Sequence, residues 1–284
     1  MNTFFYLALK FFARLPIIFI YPIAVIISFL LNIFRYRRNV IDGNLEKSFP
    51  KKSSKTKKKI KKDFYRYLGQ LLAESIKLFN CDENFIKSRN IIKNDSIIKS
   101  YLKKNKDVII VLGHYCNWEW ALLASSLHFD AEMVGIYKPL NSDFWNKQVL
   151  NLRSQFGATL LSMKKSVRYL LKKGNKARII GILSDQTPSS DELNHWINFL
   201  NQKTPVFLGA EKLAKKMDCP VFFAHIMPLG YAKYEIKFEL ITNTPNLCQE
   251  GEITHLHTQI LEKNINKDPA YWLWSHRRWK DQLK

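Results

Sequence analysis

Cysteine is scarce in this 284-residue chain, and its placement argues against two classes of protein. The four cysteines, Cys81, Cys116, Cys219 and Cys248, are scattered, and no two of them form a C-x-x-C pair. A disulfide scaffold or a cysteine-based zinc site is therefore not expected, and free thiols in a reducing compartment are the default. We interpret Cys116 as a small packing residue rather than a nucleophile, because no activating group other than His114 is evident.

Several familiar catalytic motifs are absent as well. The sequence contains no G-x-S-x-G, no G-x-x-x-x-G-K-[ST], no G-x-G-x-x-G and no H-E-x-x-H. Serine-hydrolase, nucleotide-binding and zincin functions therefore lose their usual support. His255-x-His257 has metal-ligand spacing, but it falls in a helical pattern without a third ligand, so we expect surface histidines and no metal site.

Acidic residues are few, and the positive charge is unevenly distributed. There are 24 Asp and Glu against 45 Lys and Arg, a formal net charge of +21. Eight of these charges are lysines between Lys51 and Lys62, a segment without acids, which leaves +13 for the rest of the chain. Such a protein needs an anionic partner, and phosphate-bearing lipid, an acidic protein and nucleic acid all qualify by charge alone.

The N-terminal region contains the longest uncharged run. Pro16 to Phe34 covers nineteen residues without a charge, enough for a helix that spans a bilayer. Pro16, Pro22 and the early charges leave open a helix pair lying in the membrane interface instead. Arg35, Arg37 and Arg38 follow, and the positive-inside rule places this flank in the cytoplasm. We therefore predict a membrane anchor over residues 1–35, a basic juxtamembrane segment over 36–62 and a catalytic or binding domain over 63–284.

Beyond the lysines, strand and helix patterns alternate. Periodicity predicts helices over 63–80, 94–106, 117–128, 143–156, 166–173, 209–217 and 251–265, and strands over 107–112, 131–136, 158–161, 177–183, 220–226 and 234–241. Residues 184 to about 208 read as a long polar loop. This alternation predicts an α/β fold with a central, mostly parallel sheet flanked by helices, together with the N-terminal membrane helix.

The segment with the clearest chemical potential is VLGHYCNWEW, residues 111–120. A buried strand ends, Gly113 turns the chain, and Glu119 follows His114 by five residues. On one continuous helix these two side chains would diverge, but with His114 in the turn and Glu119 in the first helical turn they can meet. A carboxylate beside an imidazole orients it and raises its basicity, and the helix N-terminus offers N–H groups to an oxyanion or a phosphate. A purely structural His–Glu pair stays open at this point.

The chain resembles the lipid A biosynthesis lauroyl/myristoyl acyltransferases, a branch of the glycerolipid acyltransferases marked by H-x4-D/E. The resemblance covers nearly the whole chain and does not depend on His114 and Glu119 alone. It extends through these blocks in order: Arg38-Asn39, Asn44-Leu45, Phe49-Pro50, Tyr137-Lys138-Pro139-Leu140, Arg153, Gly157, Ser184-Asp185-Gln186, Phe199, Thr204-Pro205, Phe207-Leu208-Gly209 and Pro269-x-x-Trp272-Leu273-Trp274-x-His276-Arg277-Arg278-Trp279.

The resemblance implies an enzyme of the bacterial inner membrane with its catalytic domain on the cytoplasmic side. It would move a fatty acyl chain from an acyl carrier protein thioester to a hydroxyl of a lipid A precursor. His114 would take the hydroxyl proton, and Glu119 would hold the ring and stabilise the imidazolium. The thioester is already activated, so neither a metal nor an organic cofactor is expected. An acidic carrier protein and a phosphorylated acceptor both suit the basic surface.

Three further residues are predicted to bind substrate. Arg153 is the candidate contact for an anionic group, with a solvated helix arginine as the alternative. Asp185 follows a strand, as His114 does, so we expect it in the cleft organising a loop or a basic partner; a turn or helix cap is the alternative. Asn117, which lies within the VLGHYCNWEW segment, is the third residue predicted to bind substrate.

Other functions remain as rivals. The acceptor could be another lipid, such as a lysophospholipid or an amino-acid lipid, and the donor could carry CoA. A membrane-tethered binding protein without catalysis is the rival from a different class. The tail YWLWSHRRWK could stack on bases, but beside a membrane we favour a lipid interface or core packing and expect no nucleic-acid partner.

Overall fold

A computed structural model describes residues 2–172, 174–188 and 195–280, and within these ranges the chain forms eleven α-helices and nine strands. The helices are α1 Asn2–Ala13, α2 Ile17–Ile33, α3 Arg38–Ser48, α4 Ser54–Lys77, α5 Glu83–Arg89, α6 Ser96–Lys103, α7 Trp118–His128, α8 Asp143–Ser154, α9 Met163–Leu170, α10 Gly209–Met217 and α11 Glu252–Lys267. The strands are β1 Asn90–Lys93, β2 Val108–Leu112, β3 Glu132–Tyr137, β4 Thr159–Ser162, β5 Arg178–Leu183, β6 Trp196–Phe199, β7 Gln202–Pro205, β8 Val221–Gly230 and β9 Lys233–Thr242.

Seven strands form one mostly parallel sheet in the order β1-β9-β8-β2-β5-β3-β4. Strands β8, β2, β5, β3 and β4 run parallel, whereas β9 pairs antiparallel with β8 and carries β1 in its own direction. The central strands are apolar on both faces; Val108, Ile109 and Val111 of β2 have no exposed surface. Burial on both faces is what a parallel sheet covered by helices requires. The predicted α/β class is confirmed.

The order of the central strands determines where a site can form. Strand β5 lies between β2 and β3, and Leu112 at the end of β2 is in register with Leu183 at the end of β5. Chain segments that leave β2 and β5 therefore emerge side by side at the carboxyl edge of the sheet, where α/β folds bind ligands.

Three parts of the predicted secondary structure need correction. The long polar loop contains an antiparallel hairpin of β6 and β7, whose strands of four residues are too short for a clear alternating pattern. The helix expected over 94–106 is shorter and follows the edge strand β1, which periodicity did not reveal. Helix α9 begins at Met163, three residues earlier than predicted.

The apolar N-terminal run forms α2, which ends at Ile33. No single helix within the described ranges is both long and apolar enough to cross a bilayer; α2 and α3 meet the criterion only as a pair bent by 87°. Most apolar side chains of α1 and α2 are exposed, among them Phe4, Phe5, Leu7, Phe11, Ile18, Phe19, Val25, Ile26, Phe29 and Ile33.

Helix α4 connects this N-terminal region to the α/β sheet domain. Ser53 caps its N-terminus, and its first turns carry the lysine run, of which Lys61 pairs with Asp42 of α3 at 2.6 Å. The helix continues without interruption through residue 63, the boundary predicted between the basic segment and the domain. On its other face, Gly69 packs against the backbone of Ala24 and Ser28 in α2.

The close contact at Gly69 leads to a stability prediction. A Cβ at this position would lie 2.5 Å from the carbonyl oxygen of Ala24 and 2.7 Å from the amide nitrogen of Ser28, so α2 must move. We expect Gly69→Ala to lower the free energy of unfolding by roughly 1–3 kcal/mol. Thermal unfolding in detergent, followed by circular dichroism, measures the change.

Gly43→Ala is the matched control, because Gly43 is also helical and a Cβ there meets nothing within 4 Å. It should stabilise the protein by about 0.5–1 kcal/mol through helix propensity alone. Equal changes at the two glycines would contradict the tight packing of α2 against α4.

Candidate active site

His114 and Asp185 meet at the carboxyl edge of the sheet. Each lies two residues beyond its strand, and the registered ends of β2 and β5 bring them together. Nδ1 of His114 is 2.6 Å from Oδ1 of Asp185, and the backbone N–H of His114 donates to Oδ2 at 2.8 Å. Trp272 donates its indole N–H to the same Oδ2 at 2.8 Å. The carboxylate therefore fixes both the ring and the backbone of His114.

The contacts of Asp185 favour its ionised form. The carboxyl group is buried, which raises its pKa, but the charge of His114 and the hydrogen bonds from His114 and Trp272 outweigh burial and lower the pKa to about 2. An ionised Asp185 accepts a hydrogen bond from Nδ1–H of His114, and in this tautomer Nε2 carries a lone pair that can accept a hydrogen bond. The side-chain amide nitrogen of Gln186 lies 3.1 Å from Nε2.

Glu119 does not hold the ring of His114, contrary to the arrangement predicted from the motif. Its carboxylate forms a two-pronged ion pair with Arg153 of α8, with Nε–Oε2 at 2.8 Å and Nη2–Oε1 at 2.5 Å. Trp118 also donates to Glu119, at 3.2 Å. The reason is the geometry of the turn: Glu119 starts α7 facing α8, whereas His114 faces the end of β5.

Arg153 of α8 forms an ion pair with Glu119 of α7, and this pair joins the two helices. Burial lowers its pKa, but the Glu119 carboxylate more than offsets this effect, so the pKa is raised and the charge is retained. The solvated helix arginine considered as an alternative is not what the structure shows, because the side chain is about one-quarter exposed and paired. Two of its nitrogens are committed to Glu119.

Asn117 caps a helix instead of facing a substrate. It is 1% exposed, its side-chain oxygen accepts from the N–H of Trp120 at 2.9 Å, and its amide donates to Glu74 at 2.6 Å. Both ends of the side chain are thus engaged within the protein, which does not fit the predicted role in substrate binding.

Glu74 is a buried acid that sequence reasoning missed. It accepts hydrogen bonds from Gln70 at 2.7 Å, Asn117 at 2.6 Å and Tyr234 at 2.7 Å, so it joins α4 and β9 to the start of α7. Burial raises its pKa to about 6 against these hydrogen bonds. The signal in the sequence was an acid on the apolar face of the helix predicted over 63–80.

The C-terminal segment completes the site. The backbone N–H of Cys116 donates to Tyr271, and that of Leu273 donates to the carbonyl oxygen of His114, both at 3.1 Å. Trp272 and Trp274 are buried in mutual edge-to-face contact at 4.8 Å. The tryptophans of this tail therefore pack in the core, one of the two roles expected for them.

A large apolar cavity adjoins the motif. It has a volume of about 690 Å³ with its open mouth included, and its walls come mainly from α7 and the central strands, including Ile110, Leu122, Met133, Leu160, Ala224 and Phe238. Glu119 and Arg153 are the only charged residues that line it within the described ranges. Trp118 lines it too, and its ring lies 4.8 Å from that of His114. A cavity lined almost entirely by apolar side chains suits an apolar ligand.

The remaining candidates from the sequence are Cys116 and the two histidines His255 and His257. Cys116 has no exposed surface, and burial raises the pKa of its thiol well above the usual range, which fits a packing residue. His255 is exposed, but His257 is buried, contrary to the expectation of two surface histidines. Among the residues that the structure describes, no group of three or more His, Cys, Asp or Glu side chains could hold a metal ion.

The raised pKa of Glu74 leads to a prediction about stability and pH. An acid whose pKa is higher in the folded state stabilises the protein fully below its unfolded value of 4.5, and this contribution is lost as pH rises through about 6. Glu74→Gln cannot ionise. The stability of the wild type relative to this variant should therefore fall by on the order of 2 kcal/mol between pH 4.5 and 7. Urea unfolding at the two pH values measures it.

Glu83→Gln, at an exposed position of α5, is the control and should show no such change. A pH-independent difference between wild type and Glu74→Gln would contradict the buried, partly protonated carboxyl group.

Comparison with known proteins identifies the family of the chain. The family model for bacterial lipid A biosynthesis acyltransferases matches residues 2–281. A lipid A biosynthesis acyltransferase of Haemophilus influenzae is 24% identical over 256 residues, which cover 88% of this chain and 79% of that protein. With a buried carboxylate on a histidine at the sheet edge, an adjoining apolar chamber and a family match over nearly its whole length, the chain belongs to the bacterial lipid A biosynthesis acyltransferases.

Proposed function

We propose that this acyltransferase moves a fatty acyl chain from an acyl carrier protein thioester to a hydroxyl of a lipid A precursor, at the cytoplasmic face of the inner membrane. The observation that carries the proposal is the His114–Asp185 pair at 2.6 Å beside the apolar cavity. The pair supplies a general base, and the cavity supplies room for a hydrocarbon chain.

In the proposed reaction Nε2 of His114 is the base. It removes the proton from the acceptor hydroxyl as the oxygen attacks the thioester carbonyl carbon. The tetrahedral intermediate then collapses, the carbon–sulfur bond breaks, and the imidazolium returns the proton to the departing thiolate. Ester and thiol are the products, so the ring ends as it began. Gln186, whose amide nitrogen lies 3.1 Å from Nε2, would give way to the acceptor.

Asp185 takes the orienting role that the sequence assigned to Glu119. Its bond to Nδ1 keeps Nε2 free and stabilises the imidazolium that forms during attack. We assign the oxyanion to the N–H groups at the start of α7 that Asn117 leaves uncapped. In this proposal the Glu119–Arg153 pair fixes α7 against α8 at the wall of the cavity rather than transferring a proton.

The acyl chain is assigned to the apolar cavity. Gly135 and Gly181 line it, and their missing side chains widen it at the level of β3 and β5. Because Trp118 touches both the His114 ring and the cavity, a chain lying there would hold its thioester carbon beside Nε2. Chain length would then follow from the depth of the cavity.

The membrane and carrier-protein partners are proposed from surface chemistry. The exposed apolar side chains of α1 and α2 form a larger surface than a protein in water usually leaves uncovered. Arg35 and Arg37 follow directly, and the lysines at the start of α4 continue the basic surface, which suits anionic headgroups. The charge of +13 outside the lysine run suits an acidic carrier protein.

Lipid analysis of cells tests the proposed reaction. Deletion of this gene should remove one acyl chain from lipid A, and the mass lost gives its length. Wild-type protein should restore the chain and His114→Ala should not, while both proteins fractionate with membranes in equal amount. Unchanged lipid A with a changed total lipid extract would point to another acceptor. Full restoration by His114→Ala would overturn the mechanism.

Two acid-to-amide variants separate the roles of the carboxylates. Asp185→Asn should lower kcat by on the order of 10²–10⁴ because the amide favours the wrong imidazole tautomer. Glu119→Gln should lower kcat by no more than about tenfold, because it weakens only the contact between α7 and α8. Initial rates with purified enzyme in detergent, with an acyl carrier protein thioester as donor, give both values. Equal losses in two equally stable variants would restore the His114–Glu119 pairing.

A further inference from the structure

A second, small cavity lies against Asp185. Its walls include Leu112, Ser184, Asp185, His257 and Arg278, and it has room for about one water molecule. It belongs to the interior, between the end of β5, helix α11 and the C-terminal segment.

Two polar side chains on this cavity carry nitrogen atoms that have no hydrogen-bond partner among the described residues. Arg278 is 2% exposed; its Nη2 donates to the carbonyl oxygen of Pro205 at 2.6 Å, but Nε and Nη1 donate to no atom of the described chain. Nε2 of His257, which is 3% exposed, is also unpaired within that part of the chain. Leaving a buried guanidinium partly unsatisfied costs free energy, so this cavity calls for a polar occupant.

Charge and size favour water as that occupant over an ion. The cationic Arg278 and the anionic Asp185 already offset each other at the cavity wall. Burial lowers the pKa of His257 to about 4, so its ring is neutral near pH 7 and can donate or accept at Nε2. One water molecule can accept a hydrogen bond from Arg278 and form a second one with Nε2 of His257, so both side chains gain a partner.

A buried Asp–His pair on its own poses a problem for base catalysis. An isolated carboxylate in contact with Nδ1 favours the imidazolium, and a protonated His114 cannot accept the hydroxyl proton. A second cation near the carboxylate opposes this effect. Arg278 lies on the same cavity as the carboxylate. Burial lowers the pKa of Arg278 to about 10, although the charge of Asp185 opposes this effect, so the guanidinium is cationic near pH 7.

We propose that Arg278 is a positioning residue: together with one water in this cavity it balances the charge of Asp185 and so keeps His114 neutral and able to act as a base. The inference rests on the proposed role of His114 as general base, but not on the identity of donor or acceptor.

Other charged groups around His114 enter the same balance. Burial lowers the pKa of His276 to about 4, although Asp185 opposes this, so His276 adds no charge near pH 7. The titratable groups near the pair are His257 of α11 and His276 and Arg278 of the C-terminal segment, with Arg37 before α3 close to His276. Trp118, whose ring contacts that of His114, donates to Glu119 of the Glu119–Arg153 pair. Of the titratable groups, Arg278 is the buried cation on the Asp185 cavity.

NMR titration of the histidines in the full-length protein, in detergent and without substrate, tests the proposal. The chain has seven histidines, and His114→Gln assigns the resonance of His114. Arg278→Gln removes the charge and keeps an amide N–H donor at about the position of Nε. The midpoint of the His114 titration should move upward by about one pH unit. The acidic limb of the kcat/KM profile should move with it, and Arg278→Lys should restore both.

Arg277→Gln is the matched control, because Arg277 is the adjacent residue and is exposed. It should leave the midpoint within a few tenths of the wild-type value. An unchanged midpoint in folded Arg278→Gln, or an equal change in Arg277→Gln, would overturn the proposal. Because the titration needs no turnover, a wrong acceptor lipid would change the lipid analysis and leave this result standing.

A crystal structure of the wild-type protein provides a second test that does not depend on any variant folding. It should show a water within hydrogen-bond distance of Arg278 Nη1 and His257 Nε2. A dry cavity, or a chloride ion in it, would overturn the proposed balance of charge.

Discussion

The two hydrogen bonds that join Asp185 to the backbone and the ring of His114 are the constraint on which the rest of the site depends. One carboxylate accepts from two different parts of His114 and from the Trp272 indole, so it joins three chain segments far apart in sequence. Around it, Gly113 has no room for a side chain, because a Cβ would lie 2.7 Å from a Leu261 methyl carbon and 3.2 Å from Oδ2 of Asp185. The turn, the strand end and the tail therefore meet at this one carboxylate.

The site contains two acids, and the contact with the imidazole that was expected of Glu119 is made by Asp185. Glu119 has the position that the motif marks, yet its partner is Arg153. Asp185 comes from a different strand and contacts the imidazole. The spacing of His114 and Glu119 in the motif indicates that these two residues border the same cleft. It does not report which acid reaches the ring, because after the turn at Cys116, with φ of 54°, Glu119 points to Arg153 of α8 and not to His114.

Features that depend on local patterns in the sequence could be predicted, whereas features that depend on contacts between distant residues could not. Burial of apolar strands is local and periodic, so β2, β5 and helix α10 were predicted closely. The adjacency of β2 and β5 depends on strand order, which periodicity does not encode, and the pairing of His114 with Asp185 depends on that order. Both residues were candidates from the sequence, but their contact was not. Glu74 was missed because a single acid on an apolar helix face does not by itself indicate a role. Its role becomes evident only from the hydrogen bonds that Asn117 and Tyr234 donate to it in the folded protein.

The pairing of residues 114–116 with residues 271–273 has a consequence for biosynthesis. The ribosome makes the chain from the N-terminus, so α1 and α2 emerge first and can meet a membrane while the sheet is still incomplete. The turn that carries His114 gains its backbone partners from Tyr271 and Leu273, and Asp185 gains the Trp272 hydrogen bond, only when nearly the whole chain has been synthesised. The hydrogen bonds that hold the His114 turn are therefore among the last contacts that the chain can form during its synthesis.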